Sequence, residues 1–110
     1  MSKVKYPFGA ADTLSAAYAA AIAVSIDNTV TVLTIAQLTG AATLNLTNNA
    51  ELKAGNRLTV LVSVDGSNRV LTHGTGLTGA ATTLTANKSY ALSYVFDGST
   101  FTLTGVQLLN

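Results

Sequence analysis

His73 is the first candidate for a catalytic or metal-binding residue, because it is the single histidine and lies beside a glycine-rich stretch. A catalytic zinc site needs three protein ligands, and the sequence around His73 holds no aspartate, glutamate or second histidine to supply them. A serine or threonine nucleophile would also depend on His73 as its base. None of the serines or threonines lies in the sequence pattern of a nucleophile elbow. The sequence therefore favours an ordinary loop histidine in a protein that is not an enzyme.

The glycines at positions 74, 76 and 79 fit the G-x-G-x-x-G spacing of a dinucleotide-binding loop. Such a loop requires a helix after its third glycine, so that the helix N-terminus meets the pyrophosphate. The segment 80–86 is instead rich in threonine and leads into a predicted strand. We therefore expect a glycine-rich connection between strands, and we expect no cofactor.

Carboxylates are few and scattered along the chain, which has five aspartate and glutamate residues in total. Glycoside hydrolysis would need a pair of them, and the only glutamate is Glu51. Asp65 and Asp97 each precede Gly-Ser and are explained as turn residues. Weak calcium binding by loop aspartates, with Asp27 as a third member, stays open, but we assign no metal site. The absence of cysteine excludes thiol catalysis and thiolate metal ligation.

The composition restricts the partners of the chain. Only 10% of the 110 residues are charged, against roughly 25% in an average domain, and the formal net charge is +1. Proteins that hold nucleic acid electrostatically usually carry a basic stripe, so nucleic acid is not an expected partner. No apolar stretch approaches the roughly 18 to 20 residues that cross a bilayer, so we expect no membrane partner either.

Apolar and polar residues alternate along most of the chain, which indicates β-strands with one buried face. We predict an all-β fold, a compact antiparallel β-sandwich or small barrel of about seven or eight strands with an N-terminal arm. The predicted strands lie near residues 18–26, 29–36, 43–47, 57–64, 69–73, 82–85, 89–96 and 100–106. The residues predicted to share one core are Val60, Val62, Leu92, Tyr94, Phe96 and Leu103.

Residues 13–24 are alanine-rich, and Asp12 could cap a helix that begins at Thr13. Against this helix, apolar side chains alternate up to Ile26, so we favour a strand. Asp-Gly pairs end two later strands and predict tight hairpins in which Gly66 and Gly98 have positive φ.

An imperfect repeat organises the chain, because residues 38–43 (LTGAAT) recur at residues 77–82. The similarity continues to the Asp-Gly-Ser turns, so the predicted repeat pairs residues 38–67 with residues 77–99. We assign residues 13–110 to a single β-domain that contains this repeat.

Residues 1–12 have no evident periodicity and are assigned to an arm. An arm with two aromatic residues and a proline is expected to lie on a neighbouring subunit or on a larger assembly, because buried aromatics dominate interface energies. Its lysines would make peripheral contacts, which contribute little. The candidate interface residues are Lys3, Lys5, Tyr6, Pro7 and Phe8.

Four segments, residues 38–46, 54–60, 65–71 and 94–101, together resemble the small β-modules of tailed-bacteriophage virions. These modules include capsid decoration proteins, head fibres and tail-fibre domains, which are often trimeric. The resemblance spans about residues 20–106, although Phe101 stands where such modules often have tryptophan.

The resemblance implies a non-enzymatic virion structural protein, a capsid decoration or auxiliary protein on the capsid surface. Its implied partners are further copies of itself, as a homo-oligomer such as a trimer, and the major capsid protein or another virion protein. The alternative is a receptor- or glycan-binding module of a tail fibre or adhesin. For that alternative, the aromatic residues of the last two strands could form a stacking platform, although their alternation favours a core.

Overall fold

The computed structural model describes residues 12–26, 30–48 and 52–109, and within these ranges the chain is all-β, with ten strands and no helix. The all-β prediction is therefore confirmed, with more strands than the seven or eight expected. The strands are β1 (Asp12–Ala16), β2 (Ala21–Ile26), β3 (Val30–Leu38), β4 (Ala42–Asn48), β5 (Arg57–Val64), β6 (Arg69–His73), β7 (Leu77–Thr78), β8 (Thr82–Leu84), β9 (Ser89–Phe96) and β10 (Phe101–Leu108).

The strands form a six-stranded sheet in the order β1-β3-β5-β9-β10-β7 and a four-stranded sheet in the order β2-β4-β6-β8. From β1 to β6 the chain passes alternately from one sheet to the other. As a result, β1, β3 and β5 run parallel in the larger sheet, and β2, β4 and β6 run parallel in the smaller one. We call strands β1 to β6 the parallel coil, since each turn of the chain adds one strand to each sheet.

Antiparallel pairing begins after the parallel coil. β9 lies antiparallel to β5, β10 lies antiparallel to β9, and β8 lies antiparallel to β6. The short β7 pairs with β10 in parallel orientation. β5 is therefore the strand at which the larger sheet changes from parallel to antiparallel pairing.

The prediction of an antiparallel sheet arrangement is wrong for most of the described strand pairs. Parallel sheets usually have both faces buried and read as continuous apolar runs, whereas here each strand of the parallel coil buries only one face. The resulting two-residue alternation is the pattern typical of antiparallel sheets. Strand direction is decided by connections such as residues 39–41, which cross to the other sheet instead of reversing within one.

One core lies between the two sheets and contains side chains from both. On β5, the side chains of Leu58, Val60, Val62 and Val64 are each at most 3% exposed and alternate with half-exposed neighbours. Each such burial contributes about 1.5–3 kcal/mol, so this alternation is the main sequence feature that fixes the strand's face. The predicted core is confirmed, with Leu103 packed against it as a partly buried member.

The alanine-rich segment forms two strands, β1 and β2, and the helix considered as an alternative does not form. Residues 17–20 connect the two sheets, so the predicted strand at 18–26 begins later, at Ala21. Here the Tyr18 hydroxyl donates a hydrogen bond to the Ala41 carbonyl at 3.0 Å. The strand favoured over residues 13–24 is thus divided into β1 and β2, and β7 was not predicted.

Both copies of the LTGAAT segment lie where the chain crosses from the six-stranded to the four-stranded sheet. In the first copy, Leu38 ends β3 and Ala42 begins β4; in the second, Leu77 lies in β7 and Thr82 begins β8. The two leucines are buried. The following strands differ in direction, since β4 is parallel and β8 antiparallel to β6.

The two Asp-Gly turns have different conformations. Asp97-Gly98 joins β9 to β10 within one sheet, and Gly98 has the predicted positive φ of 103°. Asp65-Gly66 joins β5 in one sheet to β6 in the other, and Gly66 does not have positive φ. The prediction for Gly66 is wrong because a connection between sheets does not have to match the twist of a two-stranded hairpin, which is what demands positive φ.

We predict that Gly98→Ala lowers the free energy of unfolding by about 1–3 kcal/mol, because alanine is strained at positive φ. Gly66→Ala is the matched control and should be neutral or stabilise by up to about 1 kcal/mol. A Cβ at either glycine meets nothing within 4 Å, so the comparison isolates the backbone conformation. Urea denaturation of both variants is the measurement, and equal effects would contradict the assignment of the two turns.

Candidate functional site

The charged side chains that the structure describes lie at strand ends or in the connections between strands. They are Lys53, Arg57, Asp65, Arg69, Lys88 and Asp97. The middles of the described strands carry none, so both sheets present uncharged surfaces to their surroundings. This placement leaves apolar contact and neutral hydrogen bonding as the interactions available to the sheet faces.

The outer face of the six-stranded sheet is the most extensive of these surfaces. We define the outer face by the side chains of β3, β5 and β9 that alternate with the core residues. They are Val30, Val32, Thr34, Thr59, Leu61, Ser63, Ala91, Ser93 and Val95. Most are half-buried by their neighbours on the sheet alone.

Strand register places these side chains in rows across the sheet. Leu61 pairs with Thr34 on one side and Ala91 on the other, so an apolar side chain lies at the centre of the outer face. The next row joins Val32, Thr59 and Ser93. A shallow depression of about 140 Å³ lies at one end of the outer face. Its lining includes Leu61 and Leu109.

The outer side of the four-stranded sheet differs in chemistry. Its outward residues are small or polar, apart from Val70, which is 38% exposed. Asn45 on this side accepts a hydrogen bond from the Thr75 amide at 2.9 Å. The larger sheet therefore offers the more apolar of the two outer surfaces.

A second apolar region lies at the end of the chain. Val106 and Leu108 stand beside Leu92 and Tyr90 in register, yet they are 43% and 54% exposed. Leu109, which is 50% exposed, follows them. The exposure of these side chains indicates that the four-stranded sheet, which covers β9, does not cover this part of β10.

His73 lies at the end of β6 and connects the two sheets through Tyr94 on β9. Its Nε2 is 2.6 Å from the Tyr94 hydroxyl, and its Nδ1 is 3.1 Å from the Ala80 carbonyl oxygen. Because a carbonyl oxygen only accepts, Nδ1 carries the proton and Nε2 accepts from the tyrosine. Burial raises the pKa of Tyr94, which keeps the phenol protonated as a donor. Both ring nitrogens are thus engaged within the fold.

Sequence reasoning placed His73 in a loop and did not find this pair. His73 and Tyr94 are 21 residues apart, and their contact depends on how the two sheets face each other. The one available signal was the position of Tyr94 on the apolar side of its strand, which predicts that its hydroxyl needs a buried partner.

The aspartates considered for calcium binding have other partners. Asp65 forms a two-point ion pair with Arg69 at 2.8 and 2.9 Å, and the hydrogen bond from Arg69 lowers the pKa of Asp65. Asp97 accepts hydrogen bonds from the Thr100 and Ser99 amides, and these lower its pKa. Asp27 and Glu51 lie outside the described residues. Within the described ranges, no three metal-ligating side chains are grouped.

The glycine-rich segment at residues 74–79 connects β6 to β7, and no helix follows it in the described chain. Gly76 has φ of 82°, and a Cβ there would collide with the Leu46 carbonyl. The segment is packed against β4, where the Gly74 amide donates to the Leu44 carbonyl at 2.8 Å. These glycines therefore serve close approach between strands.

The predicted arm interface lies outside the described residues, and it consists of Lys3, Lys5, Tyr6, Pro7 and Phe8. The aromatic residues considered for a sugar-stacking platform do not form an exposed platform. Tyr94, Phe96 and Phe101 are at most 5% exposed and belong to the core, and Tyr90 is half-buried.

Comparison with models of known protein families gave no match, and comparison with curated protein sequences gave none. In the part of the chain that the structure describes, no helix has the length and apolar character to cross a membrane.

We predict that Tyr94→Phe lowers the free energy of unfolding by about 1 kcal/mol, because His73 loses its donor while the ring remains packed. Tyr90→Phe is the matched control on the same strand. The Tyr90 hydroxyl accepts a hydrogen bond from the exposed Thr85 amide. Water can replace this hydrogen bond, so the decrease in the free energy of unfolding should be smaller. Thermal or urea unfolding measures both variants. An unchanged stability of Tyr94→Phe would show that the hydrogen bond between the sheets contributes nothing.

Proposed function

We propose that this protein is a non-enzymatic structural component of a virion, a decoration or auxiliary protein on the capsid surface that assembles with copies of itself. The uncharged outer face of the six-stranded sheet is the observation that supports self-assembly. The virion location and the capsid partner rest on the sequence resemblance to tailed-bacteriophage β-modules.

The size and chemistry of the outer face suit a protein interface. The three strands of the outer face, spaced about 4.8 Å apart and each about eight residues long at 3.3 Å per residue, give a surface on the order of 14 by 26 Å. Each partner of a standard interface contributes about 800 Å², so the outer face is large enough for the central part of such an interface. Leu61 and Val32 provide apolar contact near the centre, and the serine and threonine hydroxyls provide hydrogen bonds without the desolvation cost of buried charge.

The position of the charges supports this proposal. Arg57 begins β5 at one end of the outer face, and Lys53, Lys88 and Asp97 lie in connections, so charge is confined to the periphery. Interfaces commonly have this arrangement, with an uncharged centre and a polar rim. A homo-oligomer, such as a trimer, would bury the outer face of each copy.

The alternative function, glycan or receptor binding, has less support. The aromatic side chains that could stack on a sugar ring are mostly within the core, as described above. A saccharide titration of the intact protein is the direct comparison, and specific binding of a sugar would favour this alternative.

We predict that Val32→Lys, on the outer face, dissociates the oligomer, because it would bury an unpaired charge at the centre of the interface. Val70→Lys is the matched control, since it introduces the same charge on the outer side of the other sheet. Sedimentation velocity should give the mass of the oligomer for the wild-type protein and Val70→Lys, and the mass of the monomer for Val32→Lys. Circular dichroism checks that all three are folded.

The capsid contact is tested separately by co-sedimentation with capsids that lack the protein. Wild-type protein is expected to bind such capsids. A wild-type protein that is monomeric and also fails to bind them would contradict the proposed function.

A further inference from the structure

One edge of the six-stranded sheet is paired over only part of its length. β10 is eight residues long, and on its outer edge the described strands provide only β7, which pairs with Phe101 and Thr102. Residues 103–108 therefore have no neighbour on that edge among the described strands. Natural edge strands are usually protected by lysine, proline or inward-pointing charge. Residues 103–109 contain no lysine, no proline and no charged residue.

The hydrogen bonds of β10 identify the backbone groups that face this free edge. The Leu109 amide donates to the Ser89 carbonyl at 2.8 Å, so the backbone of Leu109 bonds toward β9. In an antiparallel pair, successive residues alternate between hydrogen-bonded and non-hydrogen-bonded positions. Gln107 therefore also bonds toward β9, whereas the amides and carbonyls of Val106 and Leu108 point away from it. These groups need partners from water or from another strand.

The side chains of the same two residues are uncovered. Val106 and Leu108 lie on the inner side of the sheet, opposite Leu92 and Tyr90, and both remain exposed. A free backbone edge and exposed apolar side chains thus coincide on one strand. Addition of a strand satisfies both, because it pairs the backbone groups and covers alternate side chains.

We propose that β10 pairs antiparallel with β10 of a second copy of this chain, about a twofold axis at Gln107. In this register, Val106 lies opposite Leu108 of the second copy, and Leu108 lies opposite its Val106. These residues exchange amide-to-carbonyl hydrogen bonds between the copies. Their four side chains form one apolar row on the inner side of the joined sheet. This contact is separate from the outer face and does not depend on the proposed virion function.

The axis at Gln107 is the symmetric arrangement that engages both free residues of each strand. An axis at Val106 would place Leu108 opposite Thr104, where a bulge interrupts the strand. An axis at Leu108 would place Val106 opposite residue 110, beyond the end of β10. With the axis at Gln107, the paired stretch lies after the bulge and within reach of the strand end.

The chemistry of the strand favours a second copy as its partner. A twofold axis brings identical residues close together, so charged residues would repel each other here, and residues 101–109 are uncharged. Gly105 would lie opposite Leu109 of the second copy on the outer side of the sheet. A Cβ at Gly105 meets nothing within 4 Å, so the space beside this glycine can receive the exposed Leu109 side chain.

The proposed contact is small. About five residues of each copy would pair, whereas a standard interface has roughly 20–30 residues a side. The pairing is therefore weak by itself and should dissociate in the dilute protein used for sedimentation velocity, which leaves the monomer mass expected for Val32→Lys unchanged. It joins copies at high concentration or copies that other contacts already hold close together.

The test uses single cysteines, because the natural chain has no cysteine. At the axis, the two copies of Gln107 form a non-hydrogen-bonded pair with Cα atoms about 4.5 Å apart, within the disulfide range of about 4.4–6.8 Å. Gln107→Cys should therefore form a disulfide-linked dimer in most molecules when concentrated protein is mildly oxidised. Leu108→Cys is the matched control. The two copies of Leu108 are diagonal neighbours about 7–8 Å apart, so this variant should cross-link several-fold less.

A further variant separates specific pairing from random collision. Leu108→Lys combined with Gln107→Cys introduces a charge that is solvated in the monomer but unpaired within the contact, so it should reduce the dimer several-fold. Non-reducing electrophoresis measures the dimer, and circular dichroism checks that each variant is folded. Little dimer from Gln107→Cys, equal cross-linking of Leu108→Cys, or full cross-linking in the presence of Leu108→Lys would overturn the proposal. None of these results would bear on the outer face, which Val32→Lys tests separately.

Discussion

The packing of every second side chain between the two sheets is the interaction on which the other features depend. Leu58, Val60, Leu92 and Tyr94 on the central strands β5 and β9 are at most 1% exposed. These side chains meet apolar side chains of the other sheet, to which the parallel coil contributes one strand in each of its turns. The same alternation turns the intervening residues outward, and their small, uncharged character creates the outer face.

Several strands could be predicted from sequence because their alternation is long and their ends are marked. β5 and β6 have the bounds that were expected, and β9 has them as well. Strand direction could not be predicted, since a strand with one buried face has the same pattern in parallel and antiparallel sheets. The separate strand β1 and the unpredicted strand β7 have five and two residues, too few for a clear period. The Gly66 conformation was missed because a turn between sheets and a hairpin can share the Asp-Gly-Ser sequence.

The candidate site was less accessible to sequence reasoning than the fold. The scarcity of charge was evident from composition, but the confinement of the charges to strand ends requires the strand bounds. Leu61 and Val32 belong to the outer face because of their register with Thr34 and Thr59, and no local sequence pattern distinguishes such residues from core residues. The partners of His73 depend on the packing of one sheet against the other. In contrast, the turn role of Asp97 could be predicted, because its hydrogen bonds are local.

We propose that the uncharged outer face of the six-stranded sheet is a contact surface in the assembled protein. The most direct measurement is an electron-microscopy reconstruction of the assembly, either of the purified oligomer or of the protein bound to capsids. Our account predicts that Leu61 and the adjacent side chains of β3 and β9 lie against another copy or against the capsid. An assembly in which the outer face remains exposed to solvent, with contacts made only by other surfaces, would contradict it.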